Sequence, residues 1–414
     1  MRLTLTVCRQ HLGRMFKKHW KIQGQKPILD TGAEKELSKL GISVQQAEDV
    51  LREKIKKEKI EIIGFEGNQP PKIEHVPRHE NTCYVYRDHN VLLEGLEQAK
   101  LLTKTVEIQN SFPEALQNPP ANDHLPDLDE LVQRYVLTSH VFNATQEFLP
   151  RIHDPVRPAF NFPRVMGIPD SRSSSLLYMK FLHLSEAIMG KSLGMSSVND
   201  SFFAVPLEKD GNTLQFEVTA DLLLTSSRYL SPIADREAVK EAQNIPLPDL
   251  HPIMPVISLE KEEAYEIKDL YPVDVDGDFP SIHTAVVFYD KEKVQNLFAT
   301  PVTETQILGR SLMHSFTMAS AQARQTFGIA DEDLPSPVTI QCIQTDGKLF
   351  YFSLFQLNTL NLNGVEGTRN LFWMLPAMSL FDKCCYDQGV PVLEGYNPEV
   401  FRTFLGFCSN GQHR

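Results

Sequence analysis

The sequence lacks long apolar runs and paired cysteines. No stretch of the 414 residues approaches the roughly 18 consecutive apolar residues of a membrane-spanning helix, so we expect no membrane association. The six cysteines are scattered and form no C-x-x-C pair, which is typical of free thiols in a reducing compartment. With 42% hydrophobic and 23% charged residues, the composition is that of a globular protein with a large core.

The N-terminal segment lacks acids. Residues 1–29 contain no Asp or Glu but seven Lys and Arg residues, and apolar residues recur at spacings of four and three from Met1 to Met15. This pattern is typical of a mitochondrial transit peptide, with a simple basic arm as the alternative. Removing the segment would lower the 41 Lys and Arg residues to 34 against 53 Asp and Glu, a net charge of −19. Because non-specific RNA affinity comes from neutralised phosphates, such a body indicates either that any RNA contact is local or that the main partners are proteins.

Motifs for common chemistry are also missing. The chain has no Walker-type loop, dinucleotide fingerprint, G-x-S-x-G elbow or H-E-x-x-H motif. The acidic run 274–278 has Phe279 and Ala285 where an EF-hand loop needs Gly and an acid, so we expect an acidic surface turn. Cys384 and Cys385 lack zinc-site spacing. We therefore predict no catalytic, cofactor-binding or metal-binding residues.

Four polar residues are candidates for specific roles. Ser311 and His314 can be imagined in a triad with a nearby acid, but only geometry can support one. His314 is more often a satisfied helix histidine. Arg324 and Arg369 are the candidates for contact with a phosphate or a partner, although each can equally pair with a carboxylate.

A hairpin near the C-terminus organises the predicted core. Asp346-Gly347 joins two apolar runs, and Asp-Gly is a strong hairpin signal because a type I′ turn needs positive φ at both central residues. Along 349–359, apolar residues alternate onto both faces, with Phe355 and Leu357 on one and Phe350, Phe352 and Leu354 on the other. A strand that is apolar on both faces lies in a sheet that is covered on both sides.

Helices and hairpins alternate without a β-α-β rhythm, which predicts an α+β fold with a mixed sheet, helices on both faces and an extended N-terminal segment. Predicted helices lie within 30–60 (capping box Ser43–Gln46), from Asn90, from Asp127, at Ser173–Gly190, at Glu237–Gln243, from Thr303 to Gly328 and from Asn397. Predicted strands include Ser201–Leu207, Thr213–Thr219, Val256–Leu259 and Thr284–Tyr289. We predict a transit peptide or basic arm at 1–29, a polar helix and Pro/Gly-rich extension at 30–80 (linker 64–80), and a main body at 81–414 with a helical subregion at 81–195.

The hairpin and the residues after it carry a family resemblance. The matching stretches are Thr345-Asp346-Gly347, Phe355-Gln356-Leu357-Asn358-Thr359, Glu366-Gly367, Asn370-Leu371 and Trp373. Others, in the same order as in the family, are Cys83-Tyr84, Leu92-Leu93-Glu94-Gly95, Leu102-Thr103-Lys104-Thr105, Ala319, Ala321-Gln322-Ala323-Arg324, Pro398-Glu399-Val400-Phe401 and Phe404-Leu405. Over roughly residues 80–408, the chain resembles the family of the large-subunit mitochondrial ribosomal protein numbered thirty-seven.

The resemblance implies a structural, non-catalytic component of the mitochondrial large ribosomal subunit in the matrix, without a cofactor. It implies large-subunit ribosomal proteins as partners, above all the paralogous member (the mitoribosomal or programmed-cell-death-protein-nine family) as a heterodimer. Contact with large-subunit rRNA is expected to be limited. Two alternatives stay open: a matrix enzyme with a cleft beside the sheet, and a free-standing mitochondrial RNA-binding factor.

Overall fold

The computed structural model describes residues 31–45, 78–109, 112–117, 127–142, 146–149, 151, 157, 160, 162–190, 194–291, 293–294, 296, 300–328 and 332–411. Contacts divide the chain into two units, Met1–Glu74 and His75–Arg414. In the first unit the described part contains helix α1, Ala33–Lys39, which buries none of its residues. The predicted transit segment and the helix predicted after Ser43 lie outside the described residues, and the predicted domain boundaries stay a prediction.

The second unit is built on one mixed sheet, as predicted. Its strands run in the order β2-β11-β10-β9-β8-β6-β1-β7, with β12 beside β10 and β5 beside β6. The pairs β9–β10 and β5–β6 are antiparallel, whereas β8–β9, β1–β6 and β2–β11 are parallel. The strands are β1 Arg78–Arg87, β2 Thr105–Glu107, β5 Met195–Lys209, β6 Asn212–Ser226, β7 Glu260–Ala264, β8 Ser281–Phe288, β9 Asp333–Thr345, β10 Leu349–Thr359, β11 Asn370–Met374 and β12 Met378–Ser379. Small separate hairpins are β3 Glu147–Phe148 with β4 Met166–Gly167, and β13 Lys383–Asp387 with β14 Val390–Glu394.

Helices cover both faces of the sheet. The helices are α2 Gly95–Leu102, α3 Glu114–Gln117, α4 Leu128–His140, α5 Asp170–Met189, α6 Arg236–Ala242, α7 Glu304–Phe327 and α8 Pro398–Ser409. One core cluster joins α2 and α7 to Phe355 and Leu357 of β10. The other joins α4, α5 and α8 to Phe350, Phe352 and Leu354 of the same strand. The predicted two-sided burial of this strand is confirmed, and each buried Phe or Leu contributes roughly 2–3 kcal/mol.

The predicted termini of α7 and α8 are confirmed. Thr303 and Gln306 form a reciprocal capping box at the start of α7, and Gly328 ends the helix in the left-handed region at φ 63°. At α8, the Asn397 side chain accepts a hydrogen bond from the Glu399 backbone N–H, with Pro398 in the first turn. The cap at Thr303 and the stop at Gly328 therefore set both ends of α7, the helix that crosses the centre of the sheet.

The two Asp-Gly turns of the sheet differ from each other. Asp210 (φ 49°) and Gly211 (φ 78°) form the two-residue turn of the β5–β6 hairpin, where Lys209 pairs with Asn212. At the central hairpin, Gly347 has positive φ and Asp346 does not, because the Asp346 carboxylate accepts hydrogen bonds from the backbone N–H groups of Lys348 and Leu349. The type I′ turn predicted at Asp346-Gly347 was therefore wrong, while the hairpin itself is confirmed.

Two further local predictions were wrong. The segment Val256–Leu259 forms turns, because the Gln98 amide donates to the carbonyls of Pro255 and Ile257 and so replaces a strand partner. The linker predicted over 64–80 ends earlier, since Arg78 already begins β1 and pairs with β7. The hydrogen bonds of β1 with β6 and β7 hold residues 78–80 in a strand, although the composition of 64–80 predicts a linker.

Helices α2 and α7 are in backbone contact. A Cβ added at Gly309 would lie 2.7 Å from the carbonyl carbon of Gly95, and one added at Gly95 would lie 2.6 Å from that of Thr305. Such distances leave no room for a side chain, so the glycine pair sets the separation of the two helices.

We predict that Gly309→Ala lowers the free energy of unfolding by about 1–3 kcal/mol, because the new methyl group forces two backbones apart. The better helix propensity of alanine, worth up to about 1 kcal/mol, offsets only part of this loss. Urea denaturation of the full chain measures the change. Gly277→Ala is the control, since its Cβ would meet only Asp274 at 3.3 Å or more. Equal stability of Gly309→Ala and wild type would contradict the close contact.

Candidate functional site

Arg324, one of the two predicted contact residues, lies in the last turn of α7. Its Nε and Nη2 donate to Oδ2 of Asp269 at 3.1 and 2.8 Å. The guanidinium is therefore already paired with a carboxylate, on a part of the surface where such pairs contribute little to stability. The charge that Arg324 presents to a partner is partly neutralised.

Arg369, the second candidate, directly precedes β11 and is only 4% exposed. Its Nη2 donates to the carbonyl of Val365, whereas Nε and Nη1 are buried without a hydrogen-bond partner in the described part of the chain. Buried guanidinium donors without partners are costly. Arg369 therefore differs from Arg324: its guanidinium is buried and has no carboxylate partner, whereas that of Arg324 is paired with Asp269.

The polar residues at the exit of β10 form one buried network. Gln356 accepts hydrogen bonds at Oε1 from the backbone N–H groups of Ile233 and Ala234, at 2.8 and 2.9 Å. Its Nε2 donates to Oδ1 of Asn358, whose own Nδ2 donates to the carbonyl of Arg369 at 2.8 Å. The network ties the segment before α6 to the central strand.

Asn370 completes this network. Its Oδ1 accepts from the backbone N–H groups of Asn358 and Thr359, at 2.8 and 3.0 Å. Its Nδ2 donates to the carbonyls of Thr103 and Thr359. With all four hydrogen-bonding positions filled, the amide locks the ends of β10, β11 and the α2–β2 turn together. Gln356, Asn358 and Asn370 belong to the stretches that carry the family resemblance, and in the structure they hold strand ends together.

Two lysines lie beside Arg369 under the 361–368 loop that joins β10 to β11. Lys104 Nζ donates to the carbonyl of Asn363 and Lys209 Nζ to that of Leu362, both at 2.8 Å. The lysines are 3% and 5% exposed. Lys104, Lys209 and Arg369 together are called the cation cluster below. Sequence reasoning missed the two lysines, because they stand 105 residues apart and neither has a local motif.

Burial and mutual repulsion weaken protonation in the cation cluster. Burial, with a further contribution from Arg369, lowers the pKa of Lys104. Burial also lowers the pKa of Lys209 to about 8, and the charges of Lys104 and Arg369 act in the same direction. Asp210 opposes both shifts, and Asp333 opposes that of Lys104. Like charges in a low-dielectric site account for these directions.

The C-terminal ends of β1 and β8 converge on one edge of β6. The strand β1 pairs with residues 213–217 of β6 and β8 with 222–226, while β5 occupies the other edge. In the gap, Asp88 accepts from the backbone N–H of Thr219 at 3.0 Å, and Asp221 from that of Phe288 at 2.6 Å. Arg310 of α7 closes the gap by donating to the Asp88 carbonyl at 3.1 Å. Side chains thus replace the missing sheet hydrogen bonds.

The triad imagined around Ser311 and His314 is not assembled at this gap. Ser311 Oγ donates to Gln344 at 2.7 Å, and His314 Nδ1 donates to the Arg310 carbonyl at 2.9 Å. Both residues are fully buried. Burial and the Arg310 charge lower the pKa of His314 to about 3, so its ring is neutral. A serine that donates elsewhere is not activated by this histidine.

A cavity of about 690 Å³ lies between α6 and the start of β9. It is lined by apolar residues such as Ile233, Val239 and Leu334 and by charged ones such as Arg236 and Asp333. Asn358 of the buried network also reaches its wall. Within the described part of the chain, the lining of this cavity contains no histidine or cysteine.

The remaining sequence candidates lie apart from these features. In the predicted acidic turn, Asp274 accepts hydrogen bonds from the backbone N–H groups of Asp276 and Gly277, and the turn is confirmed. Cys384 and Cys385 lie on β13. Among the described residues, no group of three or more His, Cys, Asp or Glu is placed to hold a metal ion. No helix in this part of the chain has the length and apolar character needed to cross a membrane.

Comparison with known proteins identifies the class. A family model described as mitochondrial 28S ribosomal protein S30 (PDCD9) matches residues 290–412, which include α7, the central hairpin and α8. The chain is therefore similar to mitochondrial ribosomal proteins.

The particular relatives are large ribosomal subunit proteins mL37. The chain is 28% identical to mL37 of Bos taurus over 357 residues, which cover 83% of this chain and 78% of that protein. It is also 28% identical to mL37 of Rattus norvegicus, covering 80% of this chain and 76% of that protein. For mL37 of Mus musculus the identity is again 28%, over 83% and 80%. The resemblance predicted from the sequence is confirmed.

We predict that Asn370→Asp lowers the free energy of unfolding by about 2–4 kcal/mol, because a carboxylate cannot donate to the two buried carbonyls. Urea denaturation of the full chain measures the effect. Asn361→Asp is the matched control, since Asn361 only accepts a hydrogen bond, from the Asn363 backbone N–H. The network would be unimportant to stability if both variants unfolded alike.

We also predict that stability falls on acidification below pH 6.5. The unfolded chain protonates His314 near pH 6.5, whereas the folded chain protonates it only near pH 3. The unfolded state therefore binds more protons between these values, and His314 contributes a loss of about 1.4 kcal/mol per pH unit. His314→Gln should flatten the pH dependence of the free energy of unfolding between pH 6.5 and 4. Equal slopes in this variant and in the wild type would contradict the neutral buried ring.

Proposed function

We propose that the chain is a structural, non-catalytic component of the mitochondrial large ribosomal subunit, located in the matrix. The observation that carries the proposal is its similarity to mL37 proteins over about four fifths of its length. The family-model match to residues 290–412 includes the central hairpin with α7 on one of its faces and α8 on the other. The proposal thus concerns the whole α+β body and not one motif.

The buried polar groups support a structural role. Gln356, Asn358 and Asn370 direct their side chains at backbone groups and hold the ends of strands. At the β6 gap, Ser311 and His314 are closed off from solvent. The amides of Gln356, Asn358 and Asn370 are hydrogen-bonded, and satisfied buried networks of this kind specify one arrangement of a fold. This is the property that a ribosomal scaffold needs, and it supports the proposal over a matrix enzyme.

For partners, we propose large-subunit ribosomal proteins, above all the paralogous family member in a heterodimer, with limited rRNA contact. The excess of acids, 53 Asp and Glu against 41 Lys and Arg, supports protein contacts over broad RNA contact. Arg324 and Arg369 remain our candidate contact residues. Arg369 is the stronger candidate, because Asp269 already neutralises Arg324.

Sedimentation of mitochondrial matrix extract tests the proposal. At moderate salt, and with the subunits separated at low magnesium, we expect the protein to travel with the large subunit. A matrix enzyme such as a soluble dehydrogenase, which should stay near the top of the gradient, is the control. The ribosomal role would be refuted by a protein that never leaves the top fractions. Migration in small RNA-dependent complexes would instead favour the free-standing RNA-binding factor.

A further inference from the structure

The 361–368 loop lies directly over the cation cluster. Residues 363–367 are exposed, whereas the three cations beneath are each at most 5% exposed. The loop carbonyls of Leu362, Asn363 and Val365 each accept a hydrogen bond from one of the cations. Positive φ at Gly364 and Gly367 lets the loop turn this tightly. One layer of exposed backbone therefore separates three positive charges from solvent.

The cation cluster forms no ion pair, although the charges of Asp210 and Asp333 act on its lysines from a greater distance. Within the described ranges, no carboxylate lies at ion-pair distance from Lys104, Lys209 or Arg369. The nearby acids are engaged elsewhere: Asp210 accepts from the Gly364 backbone N–H at 2.9 Å, and Asp333 from the Thr368 hydroxyl at 2.8 Å. Carbonyl oxygens satisfy single N–H donors but do not compensate three charges.

Arg369 indicates the geometry of the missing partner. Its Nε and Nη1 are buried and unpartnered, while Nη2 is held by Val365. A planar guanidinium presents two forks, Nε with Nη2 and Nη1 with Nη2, and each fork matches two oxygens of a carboxylate or phosphate. Buried charges without an ion-pair partner are costly, so an anion at the cluster would stabilise the folded chain.

We propose that the cation cluster is a binding site for one phosphate-type oxyanion. Two of its oxygens accept hydrogen bonds from one fork of the Arg369 guanidinium, formed by Nε or Nη1 together with the second N–H of Nη2. The ammonium groups of Lys104 and Lys209 balance its charge. The source is either a backbone phosphate of RNA or free inorganic phosphate. The RNA source rests on the proposed ribosomal function, whereas the oxyanion site itself does not.

Sulfate is the probe for the site, because its charge does not change between pH 7 and 9. Calorimetric titration of the full chain at low ionic strength should give saturable binding. Arg369→Gln, which removes the fork, should weaken it about tenfold or more, and Lys209→Met by several-fold. Lys240→Met, at an exposed lysine of α6, should change nothing. Lack of saturable binding to wild type, or equal binding by Lys209→Met and Lys240→Met, would overturn the proposal.

A pH series on the wild type needs no variant to fold. The groups that face Lys209 are Asp210 on the hairpin turn, Lys104 after α2 and Arg369 before β11. Since the pKa of Lys209 is about 8, this lysine is charged at pH 7 and mostly neutral at pH 9. Sulfate affinity should therefore fall several-fold from pH 7 to pH 9. Constant affinity would exclude Lys209 from the site.

A short single-stranded RNA distinguishes the two sources. If the oxyanion is an RNA phosphate, RNA should compete with sulfate, and Lys209→Met should reduce the salt dependence of RNA binding by about one phosphate contact. Sulfate binding without competition from RNA would assign the site to free phosphate. Sedimentation tests the ribosomal proposal separately. If the chain binds sulfate but stays at the top of the gradient, the oxyanion site is supported and the ribosomal role is refuted.

Discussion

The burial of β10 on both faces is the constraint on which the rest of the fold depends. Phe355 and Leu357 pack under α2 and α7, while Phe350, Phe352 and Leu354 pack under α4, α5 and α8. Because side chains alternate, a register shift of one residue would move each set to the wrong layer. Asp346 and Gly347 hold the register at the turn, and the Gly95–Gly309 contact sets the depth of the layer above.

Where β10 leaves the core, its apolar side chains give way to amides. Here side-chain amides hydrogen-bond to backbone groups that a longer strand would have paired. These amides belong to Gln356, Asn358 and Asn370, and they anchor the segment before α6 and the turn after α2. The 361–368 loop starts from this fixed frame. The frame holds three cations under the loop, which explains how an acidic chain can keep a compact positive site.

Particular residues show how far sequence reasoning reached. The faces of β10, the cap of α7 at Thr303 and the stop at Gly328 followed from periodicity and capping, because these effects act within a few residues. The strand predicted at Val256–Leu259 does not form, because Gln98 of α2, far away in the sequence, donates hydrogen bonds to the carbonyls of Pro255 and Ile257. Of the cation cluster, Arg369 alone was singled out, since nothing in the sequence joins it to Lys104 and Lys209.

The sequence by itself determined the α+β class, the two-sided hairpin and the similarity to a mitochondrial ribosomal family, because local patterns and matched stretches carry that information. Only the tertiary structure decided that β1 and β8 meet end to end on β6 and that Arg310 closes the gap. It also decided that Arg324 has a carboxylate partner while Arg369 lies buried beside two lysines. The physical reason is that charge pairing and desolvation depend on distances between residues far apart in the chain.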